Sequence, residues 1–191
     1  MILYNDIIKE ENQHLRQKSV NVEIPLNEED QETIELMNQY LINGYDDEFE
    51  FKDEIRAGVG ISAVQIDVLK RMFVIMTNDE EGNFHHYGVI NPKIISHSEQ
   101  LTYLESGEGC LSVDRKVEGL IFRPKKVKAK CFLYDFETKT TTETVLSLKG
   151  YLAVVFQHEY DHLQGILFFD HINKENPFAI PENATPVKFS E

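Results

Sequence analysis

The sequence predicts an α+β protein in which antiparallel or mixed β-sheets pack around one central helix. Candidate strands follow one another along the chain, without the regular strand–helix alternation of α/β proteins. One helix stands out late in the sequence, from Leu148 to Gln164, and it is apolar on nearly every side before His158. Such a helix is expected to be buried. With 191 residues, 41% of them hydrophobic, the chain suits one domain with a sizeable core, and we expect a single domain over residues 1–191.

The first elements of the chain are predicted to be a helix and then strands. Asn27 is a suitable N-cap, the turn after it is acidic, and Gly44 is expected to end the helix. Residues 62–69 are expected to form a short turn or an extended segment. Turn residues 81–83 and 91–92 interrupt the apolar runs that follow. The predicted strands span residues 71–77, 85–90, 93–96, 126–134 and 140–146.

The charge of the chain limits its classes of partner. The net charge is −14 at pH 7, which argues against non-specific binding to nucleic acid or to an anionic membrane. The one dense basic stretch runs from Arg123 to Lys130, where lysines mostly alternate with apolar residues, as on the solvent face of a strand. The first residues do not form a signal peptide, and no stretch has the roughly eighteen apolar residues of a membrane span. We therefore expect a cytoplasmic protein with no DNA or membrane partner.

The segment His158-Glu159-Tyr160-Asp161-His162 carries the clearest chemical signal. Imidazoles four residues apart lie on one face of a helix, so His158 and His162 can bind the same metal ion. Glu159 lies about 100° further round the helix, within reach of a water on that ion. This is the H-E-x-x-H arrangement of zinc hydrolases.

A catalytic site of this type needs a third protein ligand and one open position for water. The candidates are Cys110, Cys131, the other histidines and the acidic residues. Cys131 fits the core face of a strand as a small buried hydrophobe. Cys110 lies in Ser106-Gly107-Glu108-Gly109-Cys110-Leu111-Ser112, where glycines allow close approach of the backbone to a ligand. Taken alone, Cys110 is more often structural, and the H-E-x-x-H motif on the same chain favours ligation.

A third unusual segment is Gly58-Val59-Gly60-Ile61-Ser62-Ala63-Val64-Gln65. It lacks both the G-x-G-x-x-G pattern and the lysine of a phosphate loop, and a plain turn is the simpler alternative. Gln65 is a neutral side chain that can donate hydrogen bonds, which suits an oxyanion forming beside a metal.

The three segments together resemble the peptide deformylases. That family combines G-x-G-[IL]-[AS]-A-x-Q, E-G-C-L-S and Q-H-E-x-D-H in this order, and the correspondence runs from about Gly58 to Gly165. Ser62 stands where the family usually has alanine, and Val64 where proline is frequent. The residues from Cys110 to Arg115 are similar to the type 2 branch. Three prolines after residue 172 also fit that branch, because they make a long C-terminal helix improbable.

The resemblance implies a metal ion held by Cys110, His158 and His162, with water as the fourth ligand. One thiolate and two imidazoles suit zinc, and zinc binds more tightly than ferrous iron in the usual affinity order. The family nevertheless usually works with Fe²⁺. We therefore expect one Fe²⁺ ion, for which Zn²⁺, Ni²⁺ or Co²⁺ can substitute.

The implied reaction is hydrolysis of the N-formyl group from the formyl-methionine that begins a nascent polypeptide. Metal-bound hydroxide attacks the formyl carbon, Glu159 acts as general base and then acid, and formate is released. The side chain of Gln65 and the backbone N–H of Leu111 stabilise the oxyanion. An ion pair between Glu108 and Arg123 is expected to hold the cysteine loop. The expected partners are formyl-methionyl nascent peptides and, transiently, the ribosome.

Substrate binding is expected to use strand-like backbone pairing that does not read side chains, together with an apolar pocket for methionine. The residues expected to contact the peptide are Val59, Gly60, Glu108 and Gly109. The expected walls of the methionine pocket are Tyr151, Val154 and Val155, for which a plain core role is an equal alternative.

Two other functions remain open from the sequence. A zinc peptidase would take its third ligand downstream of the helix, where Asp170, His171 and Glu175 are available. That reading leaves the Gln65 and Cys110 segments unexplained. A metal sensor or a structural metal site would prefer a closed set of four protein ligands, with no open position for water. Such a site has no use for Glu159.

Overall fold

The computed structural model describes residues 1–190. The two α-helices of this part of the chain are α1, Glu28–Tyr45, and α2, Gly150–His162. The strands are β1 Gly60–Ser62, β2 Met72–Asn78, β3 Phe84–His97, β4 Leu101–Tyr103, β5 Arg123–Pro124, β6 Lys126–Tyr134, β7 Thr141–Lys149 and β8 Ala184–Pro186. Short 3₁₀ turns cover Tyr4–Asp6, Gln13–Arg16, Lys52–Glu54, Ala63–Ile66 and Phe168–His171. Within residues 1–190, no helix is long and apolar enough to cross a membrane.

The strands form two sheets, as the α+β prediction requires. The larger sheet has the order β1-β2-β3-β6-β7 and is antiparallel throughout. The smaller sheet has the order β5-β4-β8, in which β4 and β8 run parallel. The predicted α+β class with antiparallel and mixed sheets is therefore confirmed.

Strand β2 separates the two main cores of the molecule. Met72 and Val74 belong to the core that contains α1, whereas Phe73 and Ile75 belong to the core that contains α2. All four side chains are fully buried. Because both faces of β2 are covered, its sequence is a continuous apolar run and does not alternate with polar residues.

Helix α2 lies between the two sheets. It contacts β1, β2, β6 and β7 of the larger sheet and β4 and β5 of the smaller one. Five consecutive residues from Leu152 to Phe156 are buried, which confirms the buried central helix. A carboxylate from outside the helix caps its first turn. The N–H of Tyr151 donates at 3.0 Å to Oε2 of Glu80, which lies in the turn between β2 and β3. An acidic group at this end suits the helix dipole.

Several predicted boundaries were wrong. Gly44 does not end α1, which continues to Tyr45, and a Cβ at Gly44 would lie 3.2 Å from Ala57 Cα, so the glycine permits close backbone packing. Residues 85–90 and 93–96 form one strand, in which Asn91 has a φ of 50° and the pairing with β6 shifts register. The late helix begins at Gly150, because β7 runs on to Lys149, and it ends at His162 instead of Gln164.

Candidate metal centre

The last turns of α2 and the loop before Val113 bring three potential ligands together. The ligand atoms of Cys110, His158 and His162 all lie within 4.8 Å of one another. Cys110 Sγ is 3.3 Å from His162 Nε2. Both histidines lie on one face of α2, as the i, i+4 spacing requires. One thiolate and two imidazoles are a donor set that suits a divalent transition metal with an open fourth position.

The nitrogens of the two histidines also fit a metal. His158 donates from Nδ1 to Glu108 Oε2 at 2.9 Å, which fixes its tautomer and leaves Nε2 for an ion. His162 is 1% exposed, and its Nδ1 has no hydrogen-bond partner among the described residues. With Nε2 facing the thiol and Nδ1 buried, His162 has one nitrogen aimed at the centre of the group. The side chains present therefore fit the metal that the resemblance implies.

The thiol of Cys110 lies in surroundings that favour its ionised form. Burial opposes ionisation, but the imidazoles of His162 and His158 outweigh it and hold the pKa of Cys110 well below its ordinary value. The backbone N–H of Ser112 also points at the sulfur, at 3.4 Å. A thiolate is the form that ligates a metal.

Gln65 is held in one orientation by its own loop. Its Oε1 accepts from the N–H of Ser62 at 2.9 Å, which turns Nε2 towards Ser112 Oγ (3.1 Å) and Cys110 Sγ (3.5 Å). Only 1% of Gln65 is exposed. The amide donor therefore points to the ligand group, where the sequence predicted an oxyanion donor.

Glu159 is enclosed by residues of β1. Its Oε2 accepts from Ser62 Oγ at 2.7 Å, and a Cβ on Gly60 would lie 2.5 Å from its Oε1. Burial raises the pKa of Glu159, and the charges of His158 and His162 together with the Ser62 hydrogen bond oppose that rise. A carboxyl group with a raised pKa is suited to exchange a proton near neutral pH.

The predicted ion pair between Glu108 and Arg123 is confirmed. The two groups are bidentate, at 2.6 and 3.0 Å, and both are buried. Arg123 also donates to Asp161 Oδ2 at 2.8 Å, and His171 Nε2 contacts the same oxygen at 2.7 Å. Burial favours neutral Glu108, but the charge of Arg123 and the hydrogen bond from His158 lower its pKa to about 2. This network fixes the orientation of His158 through Glu108.

A cavity of about 360 Å³ opens onto the ligand group. All seven residues predicted to contact substrate line it, as do Gln65, Cys110, Leu111, His158 and Glu159. His162, the third residue of the ligand group, is buried and does not line the cavity. The lining residues that lie outside the segments and residues named in the sequence analysis are Tyr45, Arg56, Ala57 and Leu104.

The N-terminal segment holds two of the motifs together. The N–H of Ile8 donates to the carbonyl of Gln65, and the N–H of Glu10 donates to the carbonyl of Ser112, each at 2.9 Å. These backbone bonds join the loop that carries the amide donor to the loop that carries the thiol. They require no particular side chain, so the sequence did not point to them.

Four residues around the centre were missed by the sequence analysis. Ser62 and Ser112 bond to Glu159 and Gln65, and Asp161 and His171 extend the Arg123 network. Asp161 offered a signal, since it is the acid of the H-E-x-D-H motif to which no role was given. Its contact with Arg123 spans 38 residues of sequence, and no local pattern predicts such a pair.

The downstream residues that a zinc peptidase could use as a third ligand make other contacts or lie outside the ligand group. Asp170 pairs with Arg16, and His171 pairs with Asp161. Neither residue belongs to the ligand group, and the exposed Glu175 does not belong to it either. Cys131 is buried in the α2 core, away from the ligand group, as its strand position predicted. Burial raises the pKa of the Cys131 thiol to about 11.

Comparisons with known proteins agree with the motifs and the geometry. The family model described as polypeptide deformylase matches residues 4–178. The chain is 47% identical over 189 residues to the peptide deformylase of Oceanobacillus iheyensis, with 98% of this chain and 100% of that protein covered. It is 44% identical over 188 residues to peptide deformylase 2 of Bacillus anthracis, with 98% and 100% covered. The name of this second relative agrees with the type 2 branch.

A solved structure gives the same result at the level of the fold. The crystal structure of a probable peptide deformylase from synechococcus phage S-SSM7 superposes with a TM-score of 0.67 and 32% identity. The superposition covers 87% of this chain and 98% of the phage protein chain. The chain therefore belongs to the peptide deformylase family of metallo-hydrolases.

Proposed function

We propose that this chain removes the N-formyl group from formyl-methionyl nascent peptides through Glu159, Gln65 and the three-ligand group. Membership of the deformylase family supports the reaction itself, which is removal of the formyl group. The observation that carries the residue roles is the convergence of Glu159, Gln65 and Cys110 on one cavity. The proposal takes residues 1–191 as one catalytic domain, in line with the family match over residues 4–178.

The proposed ligands are Cys110, His158 and His162, and the proposed physiological ion is Fe²⁺. A bound divalent ion would lower the pKa of a water in its open position and polarise the formyl oxygen. Zn²⁺, Ni²⁺ or Co²⁺ would fit the same donors. Metal analysis of anaerobically purified protein, with activity measured after reconstitution, tests the ion; higher turnover with zinc than with iron would contradict it.

The contacts of Glu159 support the proposal that it carries a proton. Ser62 Oγ holds one carboxylate oxygen at 2.7 Å, and the other lies against Gly60, where a side chain would collide with it. In the proposed mechanism Glu159 accepts a proton from the attacking water and delivers it to the departing amine. Gln65 Nε2 and the N–H of Leu111 donate to the oxygen that becomes negative, an interaction worth roughly 10²–10³ in rate per donor.

Substrate recognition is proposed to depend on backbone pairing and one apolar pocket. Val59, Gly60, Glu108 and Gly109 would pair with the peptide backbone, which leaves the sequence of the nascent chain unread. The methionine side chain would lie against Tyr151, Val154 and Val155, which line the same cavity. Because nascent chains are made in the cytoplasm, we expect the protein to act there, in transient contact with the ribosome.

Formate release from formyl-Met-Ala-Ser tests the proposal. Glu159→Ala should lower the rate by about 10²–10⁴ while the bound metal stays stoichiometric, because Glu159 is outside the ligand group. Glu175→Ala is the matched control, since a peptidase that used Glu175 as a ligand would lose its metal there. Absence of formate release by iron-loaded wild type would sink the assignment.

A further inference from the structure

Three exposed aromatic rings surround a depression beside the cavity of the ligand group. Tyr45, Phe84 and Phe189 are 55%, 64% and 55% exposed, and all three line this depression of about 460 Å³. Apolar patches on the surface of a soluble protein often mark ligand-binding grooves. Tyr45 and Tyr151 line both the depression and the cavity, so these two residues form a tyrosine partition between the two spaces.

Tyr151 lies at the end of the cavity wall that α2 forms. Tyr151, Val154, Val155 and His158 all line the cavity. Their spacings of three, four and seven residues put them on one face of the helix. Seven residues of α-helix rise about 10 Å along the axis. The two valines therefore separate the ring of Tyr151 from the ligand group, and the tyrosine closes the far end of the proposed methionine pocket.

Phe189 contacts Tyr151 from the side of the depression. The two ring centroids are 5.0 Å apart and the ring planes are inclined at 68°, which is an edge-to-face pair. Within the described residues, Phe189 lines the depression and does not line the cavity. An edge-to-face pair is stabilising beyond the area that it buries. Phe189 therefore opposes any turn of the tyrosine ring out of the cavity and into the depression.

The C-terminal segment is fixed on both sides of the phenyl ring. The N–H of Val187 donates to the carbonyl of Tyr103 in β4, and the N–H of Ser190 donates to the carbonyl of Glu80, each at 2.9 Å. The carboxylate of the same glutamate accepts the backbone N–H at the start of α2. Glu80 therefore holds both members of the aromatic pair, and the half-exposed phenyl ring does not depend on its own burial for its position.

We propose that Phe189 is a positioning residue which, through the tyrosine partition, limits the length of the side chain that the methionine pocket accepts; this rests on the proposed deformylase function. With the phenyl ring in place, Tyr151 closes the pocket. Without it, the tyrosine ring can turn aside, and the spaces of about 360 and 460 Å³ join. A longer apolar side chain would then fit. One methylene more or less in an apolar pocket changes specificity by about 10–200-fold.

Deformylation of two peptides that differ in their first side chain tests the proposal. One is formyl-Met-Ala-Ser, and in the other 2-aminooctanoic acid, whose straight side chain is two atoms longer, replaces methionine. Wild type should prefer the methionine peptide in kcat/KM by about tenfold or more. Phe189→Ala should raise KM for that peptide about two- to tenfold at unchanged kcat, and it should reduce the preference by a similar factor.

The matched control is Phe178→Ala. This substitution also removes an exposed ring from the C-terminal region, and Phe178 lines neither the cavity nor the depression. It should leave KM, kcat and the preference at their wild-type values. Phe189→Tyr keeps a ring in contact with the partition and should restore the wild-type preference. Equal kinetic constants in wild type and Phe189→Ala, or an equal change in the control, would overturn the proposal.

A double-mutant cycle decides whether Phe189 acts through Tyr151. Tyr151→Ala should by itself accept the longer side chain, and Phe189→Ala should add nothing in that background. Additive effects of the two substitutions would contradict a role through the tyrosine. Should Tyr151→Ala not fold, the comparison of Phe189→Ala with Phe189→Tyr still decides whether the ring at this position limits the side chain.

Binding without turnover separates the role of Phe189 from the proposed function. Calorimetric titration of metal-loaded Glu159→Ala with both peptides gives their ratio of affinities, and adding Phe189→Ala should lower that ratio as it lowers the ratio of kcat/KM. Such a change in affinity, with a wild type that releases no formate, would support the role of Phe189 in the pocket and contradict the proposed function. Formate release with the same preference before and after Phe189→Ala would retain the proposed function and contradict the role of Phe189.

Discussion

Gly60 leaves the space that the carboxylate of Glu159 occupies. A Cβ at position 60 would lie 2.5 Å from Glu159 Oε1 and 2.9 Å from its carboxyl carbon. The backbone of Gly60 pairs with Ile75 in β2, so the strand cannot move away from the helix without breaking sheet hydrogen bonds. The absence of a side chain at Gly60 therefore determines where the proposed proton carrier lies.

Gly60→Ala should lower activity without unfolding the protein. The carboxylate is the far end of a flexible side chain and can shift, so the added methyl group displaces it. A displacement of about 1 Å at a catalytic group can cost roughly 10²-fold in rate. Formate release measures the loss, and metal content with far-UV circular dichroism is the control. Full activity in Gly60→Ala would show that the position of Glu159 is unimportant.

Ser62→Ala should move the acid limb of the kcat/KM profile to higher pH. The hydroxyl of Ser62 donates to Glu159 and lowers its pKa, against the rise that burial produces. Without that bond the pKa of Glu159 rises, and the ionised form that accepts a proton appears only at higher pH. The control is Ser19→Ala, because Ser19 is buried and its hydroxyl has no partner among the described residues. An unchanged or lower limb in Ser62→Ala would contradict the assignment of Glu159.

Arg123→Met should destabilise the protein far more than removal of a surface arginine. The substitution removes the guanidinium that pairs with both the buried carboxylate of Glu108 and the largely buried carboxylate of Asp161. Breaking a buried pair in this way typically costs about 3–5 kcal/mol. Arg16→Met removes a partly exposed pair with Asp170 and should cost about 0.2–1 kcal/mol. Urea unfolding of both variants measures the difference, and equal losses would contradict the structural role of the network.

The two cysteines should differ in reactivity once the metal is removed. Cys110 lines the cavity and has a lowered pKa, whereas the pKa of Cys131 is about 11 and its side chain is 1% exposed. At pH 8, about one Cys131 thiol in a thousand would be ionised. A chelated, folded protein should therefore react with one equivalent of a thiol reagent, and an unfolded one with two. Cys110→Ser should abolish the fast reaction; its persistence would show that Cys131 is accessible.

Local spacing predicted the helical part of the centre. His158 and His162 were identified because an i, i+4 pair meets on any helix, and the structure places them together with Cys110. Ser62 and Ser112 could not be identified in the same way, because their hydrogen bonds join segments that are far apart in sequence. A serine has no distinctive pattern until the partner across the fold is known.

Glycine and proline patterns were the less reliable signals. Gly44 and the Asn91-Pro92 pair were interpreted as ends of elements, although one permits packing and the other forms a bulge inside a strand. By contrast, the basic stretch from Arg123 to Lys130 was predicted to be the solvent face of a strand, and in β6 the exposed Lys126, Lys128 and Lys130 alternate with buried residues, as predicted.

Because β2 is buried on both faces, the stability of each core depends on this one strand. Since Met72 and Val74 serve one core and Phe73 and Ile75 the other, neither core can melt while its neighbour stays native. Unfolding should be all-or-none, and the slowest-exchanging amides should include those of β2. A mutation that removes a buried methyl group from the core beneath α1 should therefore also weaken metal binding on the other side of the sheet.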